Sequence, residues 1–181
     1  MKFDIPADTK RKAKAPHELF LTNMVGNHIL WFVAALGVFN TFWQPLVVVP
    51  VISFMTIVYT IWRAKKSLEA DEWFVMCHWQ VAARRSKVFA SVLLVGFLIA
   101  GLGWMGYSVL GMKKVAVMAL VGGVGLLPIM VSVLVLIVME SDGMHQASSG
   151  IISKGIYDRF PNEEAVLLAD PNQEVASTGE H

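Results

Sequence analysis

The sequence predicts an all-α integral membrane protein, with four transmembrane helices arranged as two hairpins joined by a cytoplasmic amphipathic connector. Three observations lead there. The 181-residue chain is 55% hydrophobic and only 16% charged, too apolar for an ordinary soluble domain. Its apolar residues fall into four runs, at about 24–43, 46–62, 88–111 and 115–139, and about 20 apolar residues suffice to cross a bilayer core. One long polar interval, residues 63–87, separates the second run from the third.

Residues 1–15 form a polar leader with Pro6 and a basic cluster, expected to be flexible or to lie against anionic headgroups. The membrane domain then covers residues 16–140. Pro16 suits the first turn of a helix and Glu18 complements its positive end, so the first helix is expected to start near Pro16. It carries Thr22, Asn23, Asn27 and His28 near one end of its span and Asn40 and Thr41 near the other. Asn23 and Asn27 share a face at i, i+4. Polar groups in hydrocarbon need partners within the protein, so this face should point at neighbouring helices. His28 invites a proton-relay or haem-ligand role, set against an interfacial histidine bonded near the headgroups. No second membrane-depth histidine completes a bis-histidine site, which favours the interfacial role.

The second span opens at Pro45 and contains Pro50, expected to bend it. Ser53, Thr56 and Thr60 lie along one side for packing, and Tyr59 and Trp62 mark an interface. In the connector, Ser67 is expected to cap a helix whose start carries Glu69, Asp71 and Glu72 and whose end carries Arg84, Arg85 and Lys87. Leu68, Val75, Met76, Trp79, Ala82 and Ala83 recur near helical spacing as an apolar stripe. Trp73, Met76 and Trp79 are therefore candidate contacts with a membrane surface or a partner protein. Cys77-His78 alone is a poor metal site, and a single cysteine cannot form an intramolecular disulfide.

The third and fourth spans are rich in small residues. Gly96-x-x-x-Ala100 and Ala119-x-x-x-Gly123, with Gly122, are candidate helix-packing sites, and Pro128 is expected to kink the fourth span. No Asp, Glu, Lys or Arg lies within either span, so the coupling charge of an ion-driven carrier is missing there. Residues 141–181 form a cytoplasmic tail with an apolar cluster at Ile151, Ile152, Ile156, Tyr157 and Phe160, disordered in character after Asp170.

Eleven of the fifteen Lys and Arg residues precede the first span or lie in the connector. Basic short loops stay cytoplasmic, which predicts both termini and the connector inside, at a bacterial inner membrane. The net charge of +1 argues against a nucleic-acid surface. Neither a phosphate-binding loop nor a paired carboxylate appears, and Ser53, Ser91, Ser108 and Ser132 lack an evident base. No catalytic, cofactor or metal site is therefore expected. Membrane lipids and other membrane subunits are the expected partners, in a non-catalytic subunit or assembly factor of a larger secretion, transport or respiratory complex. The alternative is a small homo-oligomeric channel or carrier whose path is lined by Asn23, Asn27 and His28.

Overall fold

A computed structural model describes residues 1–168. Four long helices dominate it: α1 (Ala7–Gly37), α2 (Gln44–Ala70), α3 (Trp73–Ser108) and α4 (Lys114–Ser149), each long and apolar enough to cross a membrane. A short α5 (Lys154–Tyr157) follows. Pairs of isolated β-bridges, Lys2 with Ile151 and Phe3 with Leu167, are the extended pairings among the described residues.

Helix α1 begins well before the position expected from Pro16. Pro6 precedes its first residue, Asp8 pairs with Arg11 and Lys12 across the exposed first turns, and Pro16 is interior and buried. Interior proline costs a backbone hydrogen bond. Tertiary packing offsets that cost here, because Ala13 and His17 on the same face are fully buried. The leader is thus largely helical rather than flexible, and Phe3 ahead of it is a core residue, 1% exposed.

The connector departs from expectation in the same way. Helix α2 overshoots its apolar run and continues to Ala70, then turns through Asp71 and Glu72 into α3. Arg63 grips the turn, with two nitrogens 2.7 and 2.8 Å from the Asp71 carboxylate oxygens. Ser67 is not an N-cap; its hydroxyl donates to the Ala64 carbonyl. Residues 73–95 contain neither glycine nor proline, so nothing interrupts α3 between the connector and the apolar run beyond it.

The helices therefore extend past their apolar windows at one end and pack there into a polar head. Its core joins Phe3, Ala13, Ala64, Phe74, Cys77, Trp79, Ala147 and Ile152 from every part of the chain. Met1 and Ile152 exchange backbone hydrogen bonds on one side of the N-terminal segment, and Asp4 N–H donates to Val166 O on the other. Gly150 ends α4 at φ +73°, where a Cβ would also stand 2.7 Å from the Phe3 carbonyl, so the seam requires glycine twice over. The tail packs back onto the N-terminal segment as far as Leu168, whose N–H donates to Lys2 O; the expectation of disorder from Asp170 onward lies outside the described residues.

Two stretches widen to π-helix: Thr22–Trp31 in α1 and Leu120–Leu126 in α4. Between head and far end, Phe20, Met24, Ile57, Phe89, Val133 and Leu136 form a second, wholly apolar core.

Candidate functional site

The most unusual chemistry lies where the head meets the apolar part of the bundle. His17 comes from α1, His78 and Arg85 from α3, and Glu140 from α4. His17 and Glu140 are both 0% exposed and His78 is 3% exposed. His17 Nδ1 lies 2.5 Å from Glu140 Oε2, and His17 Nε2 lies 2.9 Å from His78 Nδ1, giving an unbroken carboxylate–imidazole–imidazole chain. Arg85 Nη1 stands 3.3 Å from Glu140 Oε1 and donates to the Met139 carbonyl at 2.8 Å. Burying a carboxylate is costly unless it is both paired and hydrogen-bonded. Glu140 has both kinds of partner.

Glycine at 143 makes room for this chain. A Cβ there would come within 2.7 Å of His17 Cε1 and 2.8 Å of Arg85 Nη1. One turn after Glu140, α4 thus presents bare backbone to the ring and guanidinium that serve its carboxylate.

The far end of the chain of rings is blind. His78 Nε2 is buried without a hydrogen-bond partner, and the Phe74 ring lies 4.7 Å away. His78 belongs to the head, ten residues before the apolar run at Val88. Burial, with lesser contributions from His17 and Arg85, pushes it down to about 3, against a weak opposing effect of the Ile151 carbonyl. Its neighbour Cys77 is likewise buried, which pushes the thiol up to about 12. A thiol so placed is a poor nucleophile and a poor metal ligand.

The predicted polar set of α1 forms a separate cluster within the first π-helical stretch. Asn27 Nδ2 donates to the Val49 carbonyl at 2.8 Å and to Asn23 Oδ1 at 3.1 Å, while Asn23 Nδ2 approaches Ser53 Oγ at 3.3 Å. His28 Nε2 lies 2.9 Å from the same hydroxyl and turns its ring edge to Phe89. All three are buried against α2.

Other predicted residues are placed differently. Trp73, Met76 and Trp79 belong to the head, not to an outward docking surface. Trp73 donates to the Phe160 carbonyl at 2.7 Å and meets Phe3 edge-on, Met76 packs partly buried against the head core, and Trp79 is 6% exposed beneath Arg63. The apolar stripe was legible; its cover, supplied by the chain's own termini, was not. Among the small residues, Gly96 meets Ile129 closely, and Ala100 is partly buried beside it. Ala119, Gly122 and Gly123 are exposed, and a Cβ at either glycine would touch nothing within 4 Å. Contact glycines on α3 and α4 are instead Gly103, against Val121, and Gly125, against Ile99.

Comparison with family models, curated proteins and solved structures gives no match.

Proposed function

We propose that this chain is a multi-pass inner-membrane protein acting as a non-catalytic subunit or assembly factor of a larger membrane complex. In this reading residues 24–43, 46–62, 88–111 and 115–139 cross the bilayer as two hairpins, with the head and both termini in the cytoplasm. The Lys/Arg asymmetry supports the orientation. A single observation carries the functional part: Asn23, Asn27 and His28 bond inward, to one another, to Ser53 and to the Val49 carbonyl, with Asn27 Oδ1 alone of that set left over, while the outward faces of the spans are apolar. Phe54 and Met55 on α2 and Leu98 and Leu102 on α3 are more than half exposed. Between Asn27 and His17 lies the apolar layer of Phe20, Met24, Phe89, Val133 and Leu136, which leaves a single copy without a polar conduit. Such a surface fits lipid and neighbouring helices better than a solute.

The channel or carrier remains the second reading, favoured by one observation. A cavity of about 270 Å³ opens beside His28 and is otherwise lined mainly by apolar residues, among them Phe32, Pro50, Phe97 and Met130. Its weakness is that Asn23 and Asn27 are turned inward against α2, not toward a neighbouring copy. Solubilising native membranes separates the two. Stoichiometric recovery with other integral membrane proteins is expected; a discrete homo-oligomer that moves a solute in liposomes would overturn the proposal. For orientation, a Lys113→Cys variant in a Cys77→Ser background should label from the periplasmic side, and labelling from the cytoplasm alone would reverse the topology.

A further inference from the structure

The Glu140–His17–His78 chain has more than a packing consequence. We infer that it is a proton-binding site, in which uptake of one proton by His78 releases α1 from α3 and α4 and loosens the head.

Charge and hydrogen-bond direction carry the argument. Arg85 stands 3.3 Å from Glu140, so the one carboxylate of the cluster already has a cationic partner. With Glu140 as a carboxylate, the bond at His17 Nδ1 has one polarity: the N–H donates to Oε2. His17 Nε2 and His78 Nδ1 share the next hydrogen bond across 2.9 Å. Two buried polar atoms along the chain lack a hydrogen-bond partner: Glu140 Oε1, which has the Arg85 guanidinium 3.3 Å away, and His78 Nε2. A proton taken up by His78 makes a buried imidazolium that the Ile151 carbonyl offsets only as the last of the contributions, in a cluster whose one carboxylate is already paired.

The charged and titratable groups around His78 are few. His17 faces it from α1, Arg85 stands on its own helix, and Glu140 is reached from α4 only through His17. Cys77 beside it stays a neutral thiol. None offers a second anion. Opening the head exposes the ring to water, which removes the penalty, so protonation and opening are linked. The sign is fixed by the direction of the shift. His78 is held near 3 when closed and returns to about 6.5 when open, so the open state binds the extra proton between these values. Closure is then favoured above about pH 6.5 and lost progressively on acidification. The three helices that meet at the cluster run directly into the apolar segments, and a proton taken up in the head is positioned to alter their packing. None of this depends on whether the chain serves a larger complex.

The test uses the full chain in lipid nanodiscs. Amide hydrogen exchange is followed around His17, each rate being corrected for the intrinsic pH dependence of exchange. Between pH 7.5 and 5.0 the protection of these amides should fall by about 30-fold, the ratio set by values near 6.5 open and 3 closed. A His78→Asn variant keeps a donor toward His17 Nε2 but cannot titrate, and its protection should change less than about 3-fold over the same range. Wild-type protection that ignores pH, or a His78→Asn profile falling as steeply as wild type, would overturn the inference. Should that variant not fold, nitrogen NMR of the wild-type imidazoles decides alone. The closed protein at pH 7.5 should show His78 as a neutral imidazole, and an imidazolium in the closed protein at pH 5 sinks the site.

Discussion

The two ends of the bundle are built on opposite principles. At the head, buried charge and neatly fitted backbone hold α1, α3 and α4 together: Glu140 is fully enclosed by His17 and Arg85, and Gly143 leaves no spare volume. Toward the far end, α3 and α4 touch through isolated apolar contacts such as Gly103 with Val121, while Trp104, Val109, Leu110 and Val115 are all at least 70% exposed. The contrast teaches where specificity resides. An apolar side chain is nearly as content against lipid as against protein, so the far end has many acceptable arrangements. A buried carboxylate has very few.

The largest break in this comparison should come from Glu140→Ala. It leaves Arg85 without its anion and His17 Nδ1–H without an acceptor, and removal of one partner from a buried pair costs about 3–5 kcal/mol. Thermal unfolding in detergent, followed by proteolysis of the head, should show the loss. Gly143→Ala comes next. Its Cβ would meet the His17 ring and Arg85 below 3 Å, and overpacking of this kind costs about 1–3 kcal/mol. Since the variant keeps all four polar groups, a loss in Gly143→Ala matched by a silent Glu140→Ala would mean that shape, not charge, organises the head.

Asn27→Leu sharpens the comparison from the middle of the bundle. Asn27 bonds both Asn23 and the Val49 carbonyl, yet interhelical hydrogen bonds in membranes average only about 0.6 kcal/mol and reach about 1.7. The expected loss lies in that interval and below that of Glu140→Ala. Equal losses would place the specifying interactions along the whole of α1 instead of at the head.

How far the sequence was legible follows the same division. Long apolar runs announce four helices, and the i, i+4 spacing of Asn23 and Asn27 shows that they share a face, because both signals are local. The head was not legible, since its residues are far apart in the chain. His17 sits just after a basic leader, His78 beside a cysteine off the apolar stripe, and Glu140 at the end of an apolar run where an acid normally marks the interface. Each has an ordinary reading alone. The available signal was the unpaired apolar stripe of the connector together with Phe3, Ile152 and Ile156, all seeking cover. Those elements cover one another, and the enclosure they make brings the three titratable side chains into contact.

Gly122→Leu with Gly123→Leu should have the smallest effect. The small-residue pattern Ala119-x-x-x-Gly123 reads as a contact surface, and on that reading two leucines would force the helices apart by more than a methyl group can be accommodated. In the structure both positions face open space within the second π-helical stretch, with nothing inside 4 Å of an added Cβ. Leucine there would clash with nothing in the chain, and it is also a better helix former than glycine, by roughly 0.5–1 kcal/mol per site. The double variant should therefore unfold at the wild-type temperature or slightly above it. A clear loss of stability in detergent would show that these glycines meet another helix outside this chain; a loss that appears only in recovery from native membranes, with the isolated protein unaffected, would place that helix in a partner subunit.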